Sequence, residues 1–323
     1  LDTTAHRAYT AFEPYIRFRT YGKTQFNFRY NFSVSRPDFA SLMPVSNNSD
    51  PLSIRINNPG IKNRKIHKSE GTVTFKNDSI GSSVYVGYDF LLTHNARGTR
   101  TTYNSATGAY TRMTDNVNGN WSGTFKTGWQ RPIDRLKRLR FDVSGSVKYE
   151  RSVDFDIAYD TDADVLSKVT NIYTRLNAKM AYRHEKLSAA IVSKLVMRNS
   201  TSNRDNFERI NTYDYQYGGN AQYTIPGIDL TIATDINMFC RRGYSSPSMN
   251  TDDLVWNAQL TRSFLKGRLT AKLQAFDLLH RLSAVRYNIN AQGRTETWYN
   301  CIPRYVMLTA AYKFTKKPDK KGR

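Results

Sequence analysis

The sequence predicts an all-β chain, an antiparallel transmembrane β-barrel to which it contributes about 13 strands. Three observations predict it. Apolar and polar residues alternate with a period of two in segment after segment. The connections between those segments take turns at being short and long. No apolar run approaches the roughly 18 residues of a membrane helix, and no segment has convincing helical spacing.

The alternation is clearest in 26–34, where Phe26, Phe28, Tyr30, Phe32 and Val34 interleave with Asn27, Arg29, Asn31 and Ser33. Segment 139–150 sets Leu139, Phe141, Val143, Val147 and Tyr149 against Arg140, Asp142, Ser144, Ser146, Lys148 and Glu150. Segment 172–183 sets Ile172, Leu176, Met180 and Tyr182 against Arg175, Asn177 and Lys179, and 228–238 sets Ile228, Leu230, Ile232 and Ile236 against Asp229, Thr231 and Asp235. The same pattern runs through 84–92, 117–129, 187–198, 215–225, 254–264, 269–275 and 304–314, and more weakly through 12–19 and 67–76. The basic stretch 134–140 reads as one turn that flows into a strand. Many strands reach ten residues, long for a soluble sheet and close to the ~9–11 that a tilted strand needs to cross a bilayer.

Short connections fall at 20–23, 77–78, 184–186, 226–227 and 266–267, with a medium one at 130–137. Long ones fall between them, at 35–66, 95–112, 151–168, 199–209, 241–253 and 283–296. Outer-membrane barrels join strands by short periplasmic turns and long outer loops. The long gaps are therefore expected outside and the C-terminus in the periplasm. A soluble antiparallel meander also alternates, because one face is solvated. Against it stand the length of the strands, the uniformly apolar stripe and the frankly charged opposite face. A propeller or solenoid would show a fixed repeat, and none is present.

Lys and Arg number 48 against 27 Asp and Glu, a net charge of +21. That excess suits acidic partners, nucleic acid or lipid phosphates. A nucleic-acid surface would interleave cations with exposed aromatics on one face. Here they fall on opposite faces, so a charged lumen and a lipid-facing girdle are expected, with no nucleic acid. Outer-loop cations such as Lys62, Arg64, Lys65 and Lys68 are expected to meet outer-membrane lipid and lipopolysaccharide phosphates. The candidate lumen-facing residues are Arg29, Arg140, Lys148, Arg175, Lys179, Asp229 and Asp235.

No catalytic, cofactor or metal site is nominated. The five His do not pair at ligand spacing, and HExxH, CxxC, GxSxG and phosphate-loop motifs are missing. Asp160, Asp162 and Asp164 have a calcium-loop look without its glycine and terminal Glu, and Asp252-Asp253 is read as a solvated loop in the same way. Cys240 and Cys301 are read as two unpaired thiols, with a disulfide as the alternative. Leu1 to Ala8 contain no leader pattern, so a removed targeting segment or further upstream sequence is expected.

Two stretches resemble a known family. Arg36-Pro37-Asp38-Phe39-Ala40-Ser41-Leu42-Met43-Pro44, followed by Asp50-Pro51-Leu52 and Asn58-Pro59-Gly60, resembles a loop of outer-membrane barrels related to TonB-dependent receptors. It departs at residues 54–57, where the family usually shows a Gly before the Asn-Pro. Leu273-Gln274-Ala275-Phe276-Asp277-Leu278-Leu279-His280 resembles the penultimate strand of that family, with His280 in place of its Asn, and 303–314 resembles its last strand. The resemblance implies a barrel of about 22 strands behind an N-terminal plug. On that view residues 1–314 form the C-terminal part of the barrel and 315–323 a basic periplasmic tail. It also implies that Tyr312 and Phe314 are read by the barrel-assembly machinery, and that TonB acts through an N-terminal region not seen here. The expected function is nutrient uptake across the outer membrane, not catalysis. The alternatives are a structural or adhesive barrel and a soluble basic β-protein that binds nucleic acid.

Overall fold

The computed structural model describes residues 10–160, 165–204, 207–245, 247–282, 285–290, 293–299, 302 and 304–314. The strands are β1 (Tyr15–Arg19), β2 (Thr24–Ser35), β3 (Ser46–Asn47), β4 (Ser53–Ile56), β5 (Arg64–Asn77), β6 (Ser82–His94), β7 (Ala96–Asn104), β8 (Ala109–Val117), β9 (Asn120–Pro132) and β10 (Leu139–Phe155). They continue as β11 (Ile157–Tyr159), β12 (Leu166–His184), β13 (Leu187–Ser202), β14 (Ile210–Ile225), β15 (Leu230–Arg242), β16 (Asp252–Phe264), β17 (Leu269–Phe276), β18 (Val285–Asn290), β19 (Gly293–Trp298) and β20 (Tyr305–Tyr312).

Thirteen of them form one antiparallel sheet in the order β1-β2-β5-β6-β9-β10-β12-β13-β14-β15-β16-β17-β20. These are the thirteen alternating segments of the sequence, in chain order, as an up-and-down meander. The sheet is not closed: β1 and β20 are its two edges. Its strands are longer than the alternation indicated, 17 residues in β10 and 19 in β12. The extra length lies at the long-loop end, where Val153, Ser167, Val169, Asn171 and Ser200 are buried.

Register places the apolar stripe on one face. Phe141, Met180 and Ile191 are successive cross-strand partners, as are Val147, Thr174 and Met197. That face keeps large hydrophobics uncovered: Ile191 is 68% exposed, Leu176 46% and Leu308 75%. A soluble monomer rarely exposes so continuous an apolar surface. Rings collect beside the short turns on this face, namely Trp129, Phe141, Tyr182, Tyr223, Phe264 and Tyr312. A second set, including the stacked Trp121 and Tyr149, lies eight residues further along the same strands. Eight residues span about 27 Å of strand, comparable with the ~25 Å apolar band between the aromatic girdles of membrane barrels.

The short turns follow local chemistry. Asp134 turns the 133–138 connection by accepting the Leu139 N–H at 2.7 Å, and that bond holds its carboxyl below the usual range. The loop end departs from expectation. Residues 35–66, 95–112 and 151–168, expected as plain loops, build a second sheet in the order β11-β7-β8-β4-β3. Helical turns also occur there, a four-residue α1 (Phe39–Leu42) capped by Asp38 and a 3-10 turn at Pro247–Met249. Pro37 and the Asp38 carboxylate start α1 locally, with the Ser41 N–H donating to Asp38 at 2.9 Å.

Asparagines and aspartates stitch the loop sheet. Asn116 accepts the Lys62 N–H at 2.6 Å and donates to the Asn95 carbonyl at 3.1 Å. Asp115 accepts from Arg100 at 2.8 Å and from Asn58 at 3.1 Å. Asp154 accepts the Thr99 N–H at 3.0 Å, which ties β7 to the end of β10. Asp160 receives hydrogen bonds from the Ser105 hydroxyl and N–H, which lower its pKa. Asp162 and Asp164 lie outside the described residues, as do Cys301 and the tail 315–323.

Candidate functional site

The face opposite the apolar stripe carries the charges, because period-two strands send neighbouring residues to opposite sides. It carries a trough of about 670 Å³ across β6, β9, β10, β12 and β13. Two cross-strand rows build it. One reads Lys126–Ser146–Arg175, and the next reads Asp89–Thr124–Lys148–Tyr173–Arg198. Lys126 Nζ lies 2.9 Å from Asp89, and Lys148 Nζ lies 3.1 Å from Glu150. The Arg198 guanidinium sits 4.8 Å from the centre of the Tyr173 ring. Ser144 and Ser146 keep the floor low, and the Tyr85 ring lies flat over Gly128, where a Cβ would come within 2.4 Å of it.

Toward the C-terminal strands the same face changes from charges to amides. Asn257 and Asn237 donate to the Asp235 carboxylate at 2.9 and 3.2 Å, and Gln216 donates to Asn237 at 3.2 Å. Gln274 donates to Gln259 at 3.0 Å. These bonds use up the polar groups on each other, whereas the trough leaves guanidinium surface open.

The residues singled out from the sequence can now be placed. Arg29 is on the charged face, ion-paired with Glu70. Lys148 and Arg175 line the trough, Lys179 lines an adjoining hollow with Asp142, and Arg140 lies within 4.0 Å of Asp142. Asp235 belongs to the amide ladder. Asp229 corrects the expectation: it sits in the turn before β15 with φ 49°, at the rim and off the strand. The Pro226-Gly227 turn is longer than the alternation implied, so the strand begins only at Leu230. Tyr312 ends β20 and Phe314 follows two residues beyond it, their rings 4.6 Å apart.

Lys126 and Arg198 were not singled out from sequence. Both stand at polar positions of recognised strands, but only the register brings them beside Lys148 and Arg175. The resemblance motifs turn out to be architectural. Asp277, 2% exposed, accepts the N–H groups of Arg281 and Leu282, each at 3.0 Å. His280 in the same turn has φ 56°, a left-handed backbone that Asn tolerates better than His. Asn58 of Asn58-Pro59-Gly60 accepts the Gly60 N–H at 2.9 Å and donates to β8.

In the loop after β15, the Tyr244 hydroxyl donates to both oxygens of Asp214 at 3.0 Å. Burial, reinforced by the Asp214 charge, pushes the Tyr244 pKa up to about 12. Cys240 is buried and has no disulfide partner among the described residues.

A family model described as an outer membrane protein beta-barrel family matches residues 1–312. Neither the comparison with curated proteins nor that with solved structures finds a match.

Proposed function

The chain belongs to the outer membrane protein beta-barrel family, and on that premise we propose that it takes part in nutrient uptake across the outer membrane in the manner of TonB-dependent receptors. The observation that carries the reading is the two-sided sheet. One face is apolar and ringed, and the other is charged and holds the trough of about 670 Å³. A wall of that kind suits a wide water-filled or plugged lumen rather than a side-chain-filled small barrel.

Lipid does not tolerate a free strand edge, so β1 and β20 need partners. With thirteen strands in the meander, β1 and β20 run in the same direction, and joining them directly would make a parallel seam. An odd number of further strands restores antiparallel closure, in keeping with a barrel of about 22 strands. In this reading the loop sheet faces the medium and the short turns face the periplasm. Loop cations meet lipopolysaccharide phosphates, the assembly machinery reads Tyr312 and Phe314, and TonB engages a plug supplied by another part of the protein. No catalytic step is assigned to the chain.

Fractionation of the full-length product with heat-modifiable gel mobility is the first test. An outer-membrane band that needs detergent and shifts on boiling is expected. Growth on candidate nutrients with and without TonB then tests uptake. A heat-shifting outer-membrane protein without energy-dependent uptake points to a structural or adhesive barrel. A soluble band without a shift removes the barrel reading.

A further inference from the structure

We propose that the trough on the charged face is a binding site for a solute bearing two or more anionic groups. This deepens the uptake reading by naming its substrate class, and it rests on that reading for the site's place in transport. The argument begins with charge balance. Asp89 and Glu150 are the two acids lining the trough, and each already holds a lysine, Lys126 or Lys148. Among the described residues neither Arg175 nor Arg198 has an acid in ion-pair contact; Asp214, outside the trough lining and hydrogen-bonded to Tyr244, acts on Arg198 only through space. Arg198 rests instead on the π face of Tyr173, which orients its fork without neutralising it.

The second element is shape. Lys126 and Arg175 flank Ser146 in one cross-strand row, so their backbones stand two strand spacings apart, roughly 10 Å. Small residues, Ser144, Gly145 and Ser146, lie among the long cations in the trough lining. That spacing suits two anionic groups held apart on one molecule better than a single small ion. Guanidinium forks bind carboxylate or phosphate oxygens in pairs. The low-dielectric wall on the lipid side focuses their field into the trough. The amide ladder around Asp235 offers no comparable surplus charge, which bounds the site on its C-terminal side.

The test is calorimetric titration of the detergent-solubilised full-length protein with tripolyphosphate and, separately, citrate. Saturable binding of one or both anions is expected. R175Q/R198Q should weaken it about tenfold or more, as loss of two charge-assisted contacts implies. E150Q, which frees Lys148, should tighten it several-fold, a gain that misfolding does not produce. K23Q/K266Q, which removes two cations from short turns, should change it less than about twofold if site geometry rather than net charge governs binding. Each variant is checked for its heat-modifiable shift. No saturable binding to folded protein, or an equal loss in K23Q/K266Q, overturns the proposal. Anion binding without TonB-dependent uptake upholds the site and removes the transport reading. Uptake without anion binding does the reverse.

Discussion

The thirteen-stranded wall and the loop sheet above it are built by different means. In the wall, backbone ladders supply the order and each side chain answers mainly to its medium, apolar on one side and polar on the other. Large residues such as Ile191 stay uncovered by protein. In the loop sheet, order comes from side chains that bond specific backbone groups across the chain, as Asn116 does to Lys62 and Asn95. Around the hairpin of β7 and β8, nine residues each, its outer strands are short, β3 having two residues, β11 three and β4 four, too short to hold by ladder alone. The wall should therefore be sensitive to which face a residue occupies. The loop end should be sensitive to which residue it is.

The largest effect should come from misplacing charge on the wall. Val147→Arg puts a cation inside the apolar band, between its centre and the Tyr149 row, and should cost about 1–3 kcal/mol. Ser144→Arg, on the charged face opposite Asn177 and Gly128, should cost under about 1 kcal/mol. Urea unfolding of the reconstituted protein measures both, and equal costs would break the face assignment.

Next comes Asp277→Ala at the loop end. Two backbone N–H groups, of Arg281 and Leu282, lose their carboxylate acceptor, at about 1–3 kcal/mol. Asp142→Ala on the wall, where the nearest cation is Arg140 at 4.0 Å, should cost under about 1 kcal/mol. A ratio near one would show that the two regions do not differ as argued.

A smaller, local effect is expected with pH. The Tyr244 pKa is raised above that of an exposed tyrosine, to about 12. The folded state therefore binds this proton more tightly than the unfolded state. The resulting stabilisation is complete below about pH 10 and fades as pH rises toward the folded value. Amide exchange in 243–251 should accelerate over that window, and Tyr244→Phe should remove the step. An unchanged step in Tyr244→Phe would assign it elsewhere.

The smallest change is His280→Asn. The left-handed backbone at φ 56° should be relieved, stabilising the turn by a few tenths to about 1 kcal/mol. Asp277→Ala should erase that gain, since the turn it relieves would no longer be capped.

Much of this was legible in the residues. Segment 139–150 names both faces of β10 by alternation alone, because a strand has only two sides and lipid and water demand opposite chemistry. Long and short gaps likewise placed the loops at one end. Arg198 shows where legibility stops: its polar position is plain from 187–198, but its neighbours Tyr173 and Lys148 are set by register, which depends on turn lengths and on pairing across the sheet. Asp229 shows a second limit. Alternation continued one turn too far, because a turn residue with φ 49° looks no different in sequence from a strand residue.

The sequence by itself determined the all-β class and which face most strand residues take, since these follow from period and medium. Tertiary structure decided what the long connections become and which cations share a trough. Those outcomes depend on hydrogen bonds between segments that are distant in the chain, such as Asn58 to Asp115, and no local pattern encodes a partner more than fifty residues away.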